Sequence, residues 1–517
     1  MDTRRLVGLG GILLAAMVAQ LNDQVTATAL ADVSGGLGIS HDDGTWLRTL
    51  YVTGEVIGMC MAPSLGVAFS IRHFALFAIG LSCAATLPIP LFGADPAILL
   101  SLRALQGLAA GFTIPLLMTT ALRVLDPPIR LYGLAVYALT ATFTPNLATT
   151  LAALWTDVVD DWRFVFFEAL PFCAVAAVMV WWGMMQDPPN YDRLRHFDWP
   201  GALLVAAGFG SLSIVLEQGD RLDWYNSSVI AVMTLVAILG IAGFLIRETR
   251  AEQPLIRLDL LKRRNFAYAA LTLIFFLVIA LSASQVPLTF LEQVKGYKPL
   301  QAHWLTLEVA ATQLVLLPAT ALLLDIEWVD SRWVSAVGFA CILTACIMGL
   351  FLTPAWTRDQ FFLQQMLQSV GFSFVVMPLL MMATNVVDPK EGPYASALVN
   401  GPRAVAEAIG AWLIELIGRW RGGLHRTRIV ETIGADRLNL IQAAPIPGAV
   451  RPALTPQGVP SAPGALEALN SGVDAAVTTL TTIDTFLVLG CLVIFLMAVL
   501  AVLPERTYPP RIQLAKH

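Results

Sequence analysis

What most constrains this chain is the recurrence, from its first residues almost to its last, of mainly apolar windows about 20 residues long. They lie near residues 6–30, 46–70, 74–93, 97–122, 130–155 and 164–186, then 199–218 and 227–246, then 265–291, 303–325, 333–354, 360–386, 393–418 and 485–504. In hydrocarbon each backbone N–H and C=O must be satisfied within its own segment, so such windows must be helices, and the alternation of a β-barrel is absent. The expectation is an all-α polytopic membrane protein with fourteen transmembrane helices. Charge agrees: only 13% of the 517 residues are charged, against about 25% in a soluble domain.

Composition also narrows the function. The net charge of -5 is thinly spread, which excludes a nucleic-acid partner. No H-E-x-x-H, P-loop or metal-ligand cluster appears, and Gly208-Phe-Gly-Ser-Leu212 lacks the spacing of a nucleophile elbow. The chain is therefore expected to be no enzyme and to need no cofactor or metal. The six cysteines, Cys60, Cys83, Cys173, Cys341, Cys346 and Cys491, fall in apolar runs and read as small core residues.

Lysines and arginines set an orientation. With the N-terminus cytoplasmic, eighteen flank the inner helix ends, from Arg4 and Arg5 to Lys516, and five the short outer loops: Arg163, Arg221, Lys295, Lys298 and Arg358. Both termini are expected inside a cell (inner) membrane. Arg4, Arg5 and Ala27-Thr-Ala29 mimic a secretory signal, but cleavage would leave an odd helix count.

A weak internal repeat divides the chain. Leu105-Gln106 leads to Pro115-Leu-Leu-Met118, and Leu367-Gln368 leads to Pro378-Leu-Leu-Met381, each on the fourth helix of a six-helix block. The expected organisation is an N-terminal bundle over 1–190, an inserted helix pair and basic linker over 191–264, and a C-terminal bundle over 265–517. A long external loop is expected at 419–484, with an irregular Pro-rich middle from Pro445 to Pro463. The linker from Arg247 to Arg264 reads as an amphipathic helix on the inner leaflet or as a solvated connection.

Ionisable groups inside the membrane cost about 2.5–3.5 kcal/mol each on insertion scales, so each needs a partner or a function. Asp23, Glu55, Arg103, Arg403 and Glu407 are the clearest cases. Glu55 lies about ten residues into the second helix and is the best candidate for reversible protonation, followed by Asp23. A carboxylate holds its proton more tightly when desolvated and less tightly beside an arginine, so alternation between the two can load and release a proton. Glu407 follows Arg403 by one turn, a spacing that favours a local ion pair. Trp46, Tyr51, Tyr137 and Met381 are candidates to line a cavity for varied apolar shapes, and equally candidates for plain packing or interface anchoring.

Taken in order, several segments resemble the major facilitator superfamily, specifically its fourteen-helix EmrB/QacA-type drug:proton antiporters. Leu21-Asn-Asp-Gln-Val-Thr-Ala-Thr-Ala-Leu30 is similar to the first-helix L-D-x-T-I-V-N-V-A-L segment, and Arg103-Ala-Leu-Gln-Gly107 with Pro115 to the fourth-helix motif. Trp162 to Pro171 resembles W-R-W-I-F-F-x-N-L-P, Gly296-Tyr297 through Ala302 the segment before helix ten, and Asn400-Gly-Pro-Arg403 with Gly410 the S-N-x-x-R segment. The resemblance implies a major facilitator fold of two six-helix bundles with an inserted pair. It implies export of small amphipathic molecules by proton antiport through alternating access. It adds Arg103 to the coupling candidates, Gln106, Asn400 and Arg403 to the cavity candidates, and Gly107, Pro115, Pro145 and Gly410 as structural positions. It also implies a periplasmic adaptor and outer-membrane channel where the source has an outer membrane.

The departures from the family pattern matter as well. The loop after helix two is reduced to Gly66 and Arg72, with Ser70 near the place of the acid. The helix-five antiporter motif survives only as Thr144-Pro145 and Ala148-Thr149, which keeps uptake or facilitated exchange of a metabolite as an alternative. The family's first-helix aspartate aligns with Asn22, and Asp23, one place later, points about 100° around the helix.

Overall fold

The computed structural model describes residues 3–92, 95–186, 188, 197–251, 254–388, 391–435 and 465–510. Helices α1 (Thr3–Thr28), α2 (Leu30–Leu37), α3 (His41–Phe69), α4 (Ile71–Thr86), α5 (Ile89–Phe92) and α6 (Pro96–Val124) come first. They are followed by α7 (Pro127–Thr142), α8 (Thr144–Ala153), α9 (Phe164–Phe167) and α10 (Ala169–Gly183). Helices α11 (Trp199–Gln218) and α12 (Ser228–Glu248) come next, over the residues expected as an inserted pair. The rest are α13 (Arg264–Ala280), α14 (Gln285–Lys295), α15 (Pro299–Leu324), α16 (Ser331–Gly349), α17 (Phe362–Asn385), α18 (Gly392–Ala435) and α19 (Ala465–Val502).

Among the described residues, 12 helical stretches are long and apolar enough to cross a membrane. Two of the fourteen expected windows are not among them, although both are helical. The window at 130–155 is interrupted at Phe143, after which a new helix begins at Thr144 with Pro145 in its first turn. The window at 393–418 lies in α18 and carries Arg403, Glu407 and Glu415 between its apolar residues.

Close helix crossings organise the bundle. The most extensive is α3 on α6, where Gly54 and Gly58 face Gly107 and Gly111. A Cβ on Gly107 would lie 2.0 Å from the Tyr51 carbonyl oxygen, and one on Gly111 2.2 Å from that of Glu55. Without a hydrophobic drive between helices in lipid, such backbone proximity supplies the packing energy. Further crossings join α1 to α10, α11 to α12 and α16 to α17, while α3 with α18, and α8 with α15, join the early helices to the late ones. Large apolar side chains such as Val178, Leu203, Leu239 and Val315 are exposed on the outer helix faces, as a surface solvated by lipid requires.

Three expectations need correction. Residues 419–435 and 465–484, expected as loop, are helical and continue α18 and α19. With 44 and 38 residues these helices are about 66 and 57 Å long, roughly twice a bilayer's apolar thickness. They pair with each other through Arg421–Asp484 at 2.6 Å, His425–Asp484 at 2.7 Å and Arg426–Asp474 at 2.9 Å. The Pro445–Pro463 stretch lies outside the described residues. Second, the described part of the linker after Arg247 contains only a short turn, Leu258–Lys262, and buries Leu255, Ile256 and Leu260 against the bundle, so it presents no amphipathic helix to a leaflet. Third, Cys491 is exposed and Cys83 and Cys341 are half-buried, so only Cys60, Cys173 and Cys346 are core residues.

Candidate functional site

A cavity of about 500 Å³ opens at the end of the bundle opposite the N-terminus. Its mouth lies among Asp32, His41, Tyr297 and Lys298, and its walls include Gln20, Gln24, Arg48, Pro145, Asn146, Phe372, Arg403 and Glu407. Towards the other end the helices close on one another. Ser396 donates to the Pro115 carbonyl at 2.8 Å, and the Tyr137 hydroxyl to Asn400 Oδ1 at 3.2 Å. Each of these bonds joins one of the first ten helices to α18, so the cavity is open on one side and sealed on the other.

Beside the cavity stands a buried charge network centred on Arg103, whose side chain is 0% exposed. Its Nε donates to the Leu47 carbonyl at 3.2 Å, and its Nη1 to Asn22 Oδ1 at 3.0 Å and Gln106 Oε1 at 2.6 Å. Gln106 in turn donates to Thr86 at 2.7 Å. The Tyr51 ring lies 4.5 Å from the guanidinium, with its hydroxyl donating to the Ala19 carbonyl at 2.6 Å. The planar, multiply donating guanidinium suits this site, and lysine could not replace it. Asp23 Oδ1 stands 3.7 Å from Arg103 Nη2 and accepts no hydrogen bond among the described residues. The first-helix offset thus has a geometric outcome: Asn22 makes the hydrogen bond to Arg103, while Asp23 makes a looser ion pair.

Arg403 and Glu407 form the expected one-turn ion pair, Nε to Oε1 at 3.1 Å, and both also line the cavity. Glu55 is buried on α3 and receives no hydrogen bond or ion pair among the described residues. The charges acting on it are those of Glu407, Asp23 and Arg403. The fold therefore brings Asp23, Glu55, Arg103, Arg403 and Glu407 together from α1, α3, α6 and α18.

Of the other cavity candidates, none lines this cavity. Trp46 is turned aside under the Arg221 guanidinium, 5.9 Å from its ring centroid. Tyr51 and Gln106 are committed to Arg103, Tyr137 and Asn400 to each other, and Met381 is enclosed in the core. The structural positions lie where they govern shape. Gly107 is at the α3–α6 crossing, Pro115 is inside α6 and Pro145 is in the first turn of α8, while a Cβ on Gly410 would lie 2.6 Å from Leu281 Cδ1.

Sequence reasoning missed Arg48 and Glu217. Arg48 lines the cavity, and its Nε lies 3.8 Å from Glu217 Oε2 on α11. Both sit at window ends, where charges read as loop residues. The signal was the spacing from Arg48 to Glu55, two turns along one helix. The repeat carries a related contrast. The register that matches Gln106 to Gln368 is 368 - 106 = 262 residues, which places Gln365 opposite Arg103, and both glutamines are fully buried. The second half is neutral where the first is charged.

Outside the membrane, Arg263 donates to Glu391 at 2.7 and 2.9 Å, and these hydrogen bonds hold the Glu391 carboxyl below its ordinary range.

The family model described as Major Facilitator Superfamily matches residues 12–411. Among characterised relatives, the "Multidrug export protein EmrB" of Escherichia coli (strain K12) is 26% identical over 436 residues, 81% of each chain. The "Probable multidrug resistance protein EmrY" of the same organism is 24% identical over 443 residues, 82% of each chain. Among solved structures, the human organic anion transporter MFSD10 (TETRAN) superposes with a TM-score of 0.57 at 10% identity, covering 97% of this chain and 100% of its own. That last likeness concerns the fold alone.

Proposed function

Because the chain belongs to the major facilitator superfamily, we propose that it is a secondary active transporter exporting amphipathic small molecules in exchange for protons. One observation carries this reading: a cavity of about 500 Å³, open on one side only, is walled by Arg48, Arg403 and Glu407, with Asp23 and Glu55 beside it. Its size and mixed lining suit a molecule with an apolar body and a polar or charged end.

In this reading the chain crosses a cell inner membrane fourteen times, with α7–α8 and the first part of α18 completing the count. The excess of inner lysines and arginines puts both termini in the cytoplasm, so the observed cavity faces outward. In that state Asp23 or Glu55 takes a proton from outside. The bundles then rock about the centre, the contacts from Ser396 to Pro115 and from Tyr137 to Asn400 break, and the proton leaves inward as substrate enters. The two carboxylates sit near arginines whose distance changes as α1, α3 and α18 move, which changes their proton affinity. Helices α18 and α19 run on side by side beyond Arg419 on the proposed outer side, and an adaptor leading to an outer-membrane channel would dock there.

The test is accumulation of a panel of amphipathic dyes and antibiotics in cells expressing wild type, Glu55→Gln or Asp23→Asn, with and without a protonophore. Exclusion that depends on wild type and is lost on uncoupling and in at least one of the variants is expected. Wild-type-dependent accumulation would instead mean uptake, and exclusion indifferent to the protonophore would remove the proton.

A further inference from the structure

Helices α11 and α12 are more than a spacer between the bundles. Helix α11 lies against α3 and touches α18, with Gly210 packed on Thr53 and Ile57. At its outer end Gln218, fully buried, donates to Thr49 Oγ1 at 2.6 Å and accepts from Arg221 at 2.6 Å. Arg221 reaches Asp42 of α3 at 3.4 Å, and Arg419 of α18 reaches Asp220 and Asp223 at 3.0 and 2.5 Å. The turn between α11 and α12 is thus tied to helices from both halves.

Within this attachment sits Glu217, whose side chain is 7% exposed. A carboxylate held at that depth needs a cation, and the one in ion-pair reach among the described residues is Arg48, at 3.8 Å. The pair is unsaturated: neither Glu217 Oε1 nor Arg48 Nε has a hydrogen-bond partner among the described residues. Arg48 also faces the cavity, and the anions acting on it are Glu217, Asp23, Glu415 and Glu407. Asp23, for its part, is acted on by Arg48 and Arg103 as cations and by Glu217 and Glu407 as anions. Arg48 is therefore loosely paired with Glu217 on α11 and shares one cavity wall with Gln20 and Gln24, which flank Asp23 along α1.

We propose that Glu217 is a positioning residue for the proton site: it holds Arg48 back from Asp23 and so sets the pH at which Asp23 exchanges its proton. This rests on the reading that Asp23 takes part in proton coupling. When Asp23 is ionised, Arg48 is drawn towards it. When Asp23 is protonated, Arg48 returns to Glu217. Glu217 acts through Arg48 and never meets the substrate.

The experiment is infrared titration of the purified full chain in lipid, following the carboxyl C=O band that disappears in Asp23→Asn. In Glu217→Gln, Arg48 is freed to pair with Asp23, and the midpoint of that band is expected to fall by roughly one pH unit, the lower end of the effect of an adjacent opposite charge. Glu217→Asp, which keeps the charge, should recover most of the wild-type midpoint. Arg48→Gln should move it the opposite way, and in that background Glu217→Gln should have little further effect. An unchanged midpoint in Glu217→Gln overturns the proposal while leaving the transport reading intact, and so does a shift that persists undiminished without Arg48. The absence of any Asp23-dependent band between about pH 4 and 9, the span over which a perturbed carboxyl titrates, overturns the proposal together with the role of Asp23 in coupling, and leaves Glu55 as the coupling acid of the transport reading. Should Glu217→Gln fail to fold, an unchanged midpoint in Arg48→Gln overturns the proposal by itself, since an arginine with no hold on Asp23 cannot pass on any effect of Glu217.

Discussion

Replacing Gly107 with alanine tests the packing on which the site depends. The new Cβ would lie 2.0 Å from the Tyr51 carbonyl oxygen, where ordinary contact begins near 3.4 Å, so α3 and α6 must part by about 3.4 - 2.0 = 1.4 Å. The obstacle is backbone, which no rotamer change can relieve. Overpacking of this kind costs about 1–3 kcal/mol. The displacement also moves Tyr51 away from the Arg103 guanidinium, now 4.5 Å from its ring, and Leu47 away from Arg103 Nε. Gly80→Ala is the matched control, because nothing lies within 4 Å of its added Cβ. Thermal unfolding of the purified proteins, followed by thiol labelling of the buried Cys60, should show Gly107→Ala melting well below both wild type and Gly80→Ala, with transport lost. Equal melting of the two variants would refute the claim that a backbone-to-backbone crossing holds the site.

Arg103→Lys should fold but lose transport, since one ammonium cannot serve Leu47, Asn22, Gln106 and Asp23 together; wild-type export by this variant would show that charge alone suffices. Ser70, at φ 74° and ψ 134° between α3 and α4, occupies a conformation suited to glycine. Ser70→Gly should raise the melting midpoint, relieving on the order of 1–3 kcal/mol of backbone strain. Glu391 is held ionised chiefly by the hydrogen bonds from Arg263, so its contribution to stability is complete above the unfolded carboxyl's 4.5 and lost as pH falls through its lower native value. The melting difference between wild type and Glu391→Gln should therefore be present at neutral pH and vanish in acid.

The apolar windows made the helices legible because a span in lipid leaves the backbone no alternative. What they could not show was where a helix ends once it leaves the bilayer. Residues 419–435 and 465–484 are polar enough to read as loop, yet they pair as helices through Arg421, His425 and Asp484. The intramembrane charges Asp23, Glu55, Arg103 and Arg403 stood out one by one, since each is costly in hydrocarbon. The one-turn pair of Arg403 with Glu407 was legible too, but the contact from Arg48 to Glu217 was not, because it joins residues 217 - 48 = 169 positions apart and only the docking of α11 creates it. The aromatic candidates erred for a related reason. Tyr51 and Tyr137 each carry a hydroxyl that must find an acceptor when buried, and the acceptors, Ala19 and Asn400, lie behind the cavity wall. The glycines of α3 and α6, spaced by four on both helices, were a readable signal for their crossing.

The most direct test of the central claim is proton movement in liposomes containing the purified chain and a pH-sensitive dye inside, with a panel of amphipathic cations and anions added in turn. Exchange predicts that at least one compound drives a proton flux opposite to its own, absent from empty liposomes and from the Glu55→Gln, Asp23→Asn double variant. Substrate movement with no accompanying proton flux, or a flux undiminished in the double variant, would contradict it.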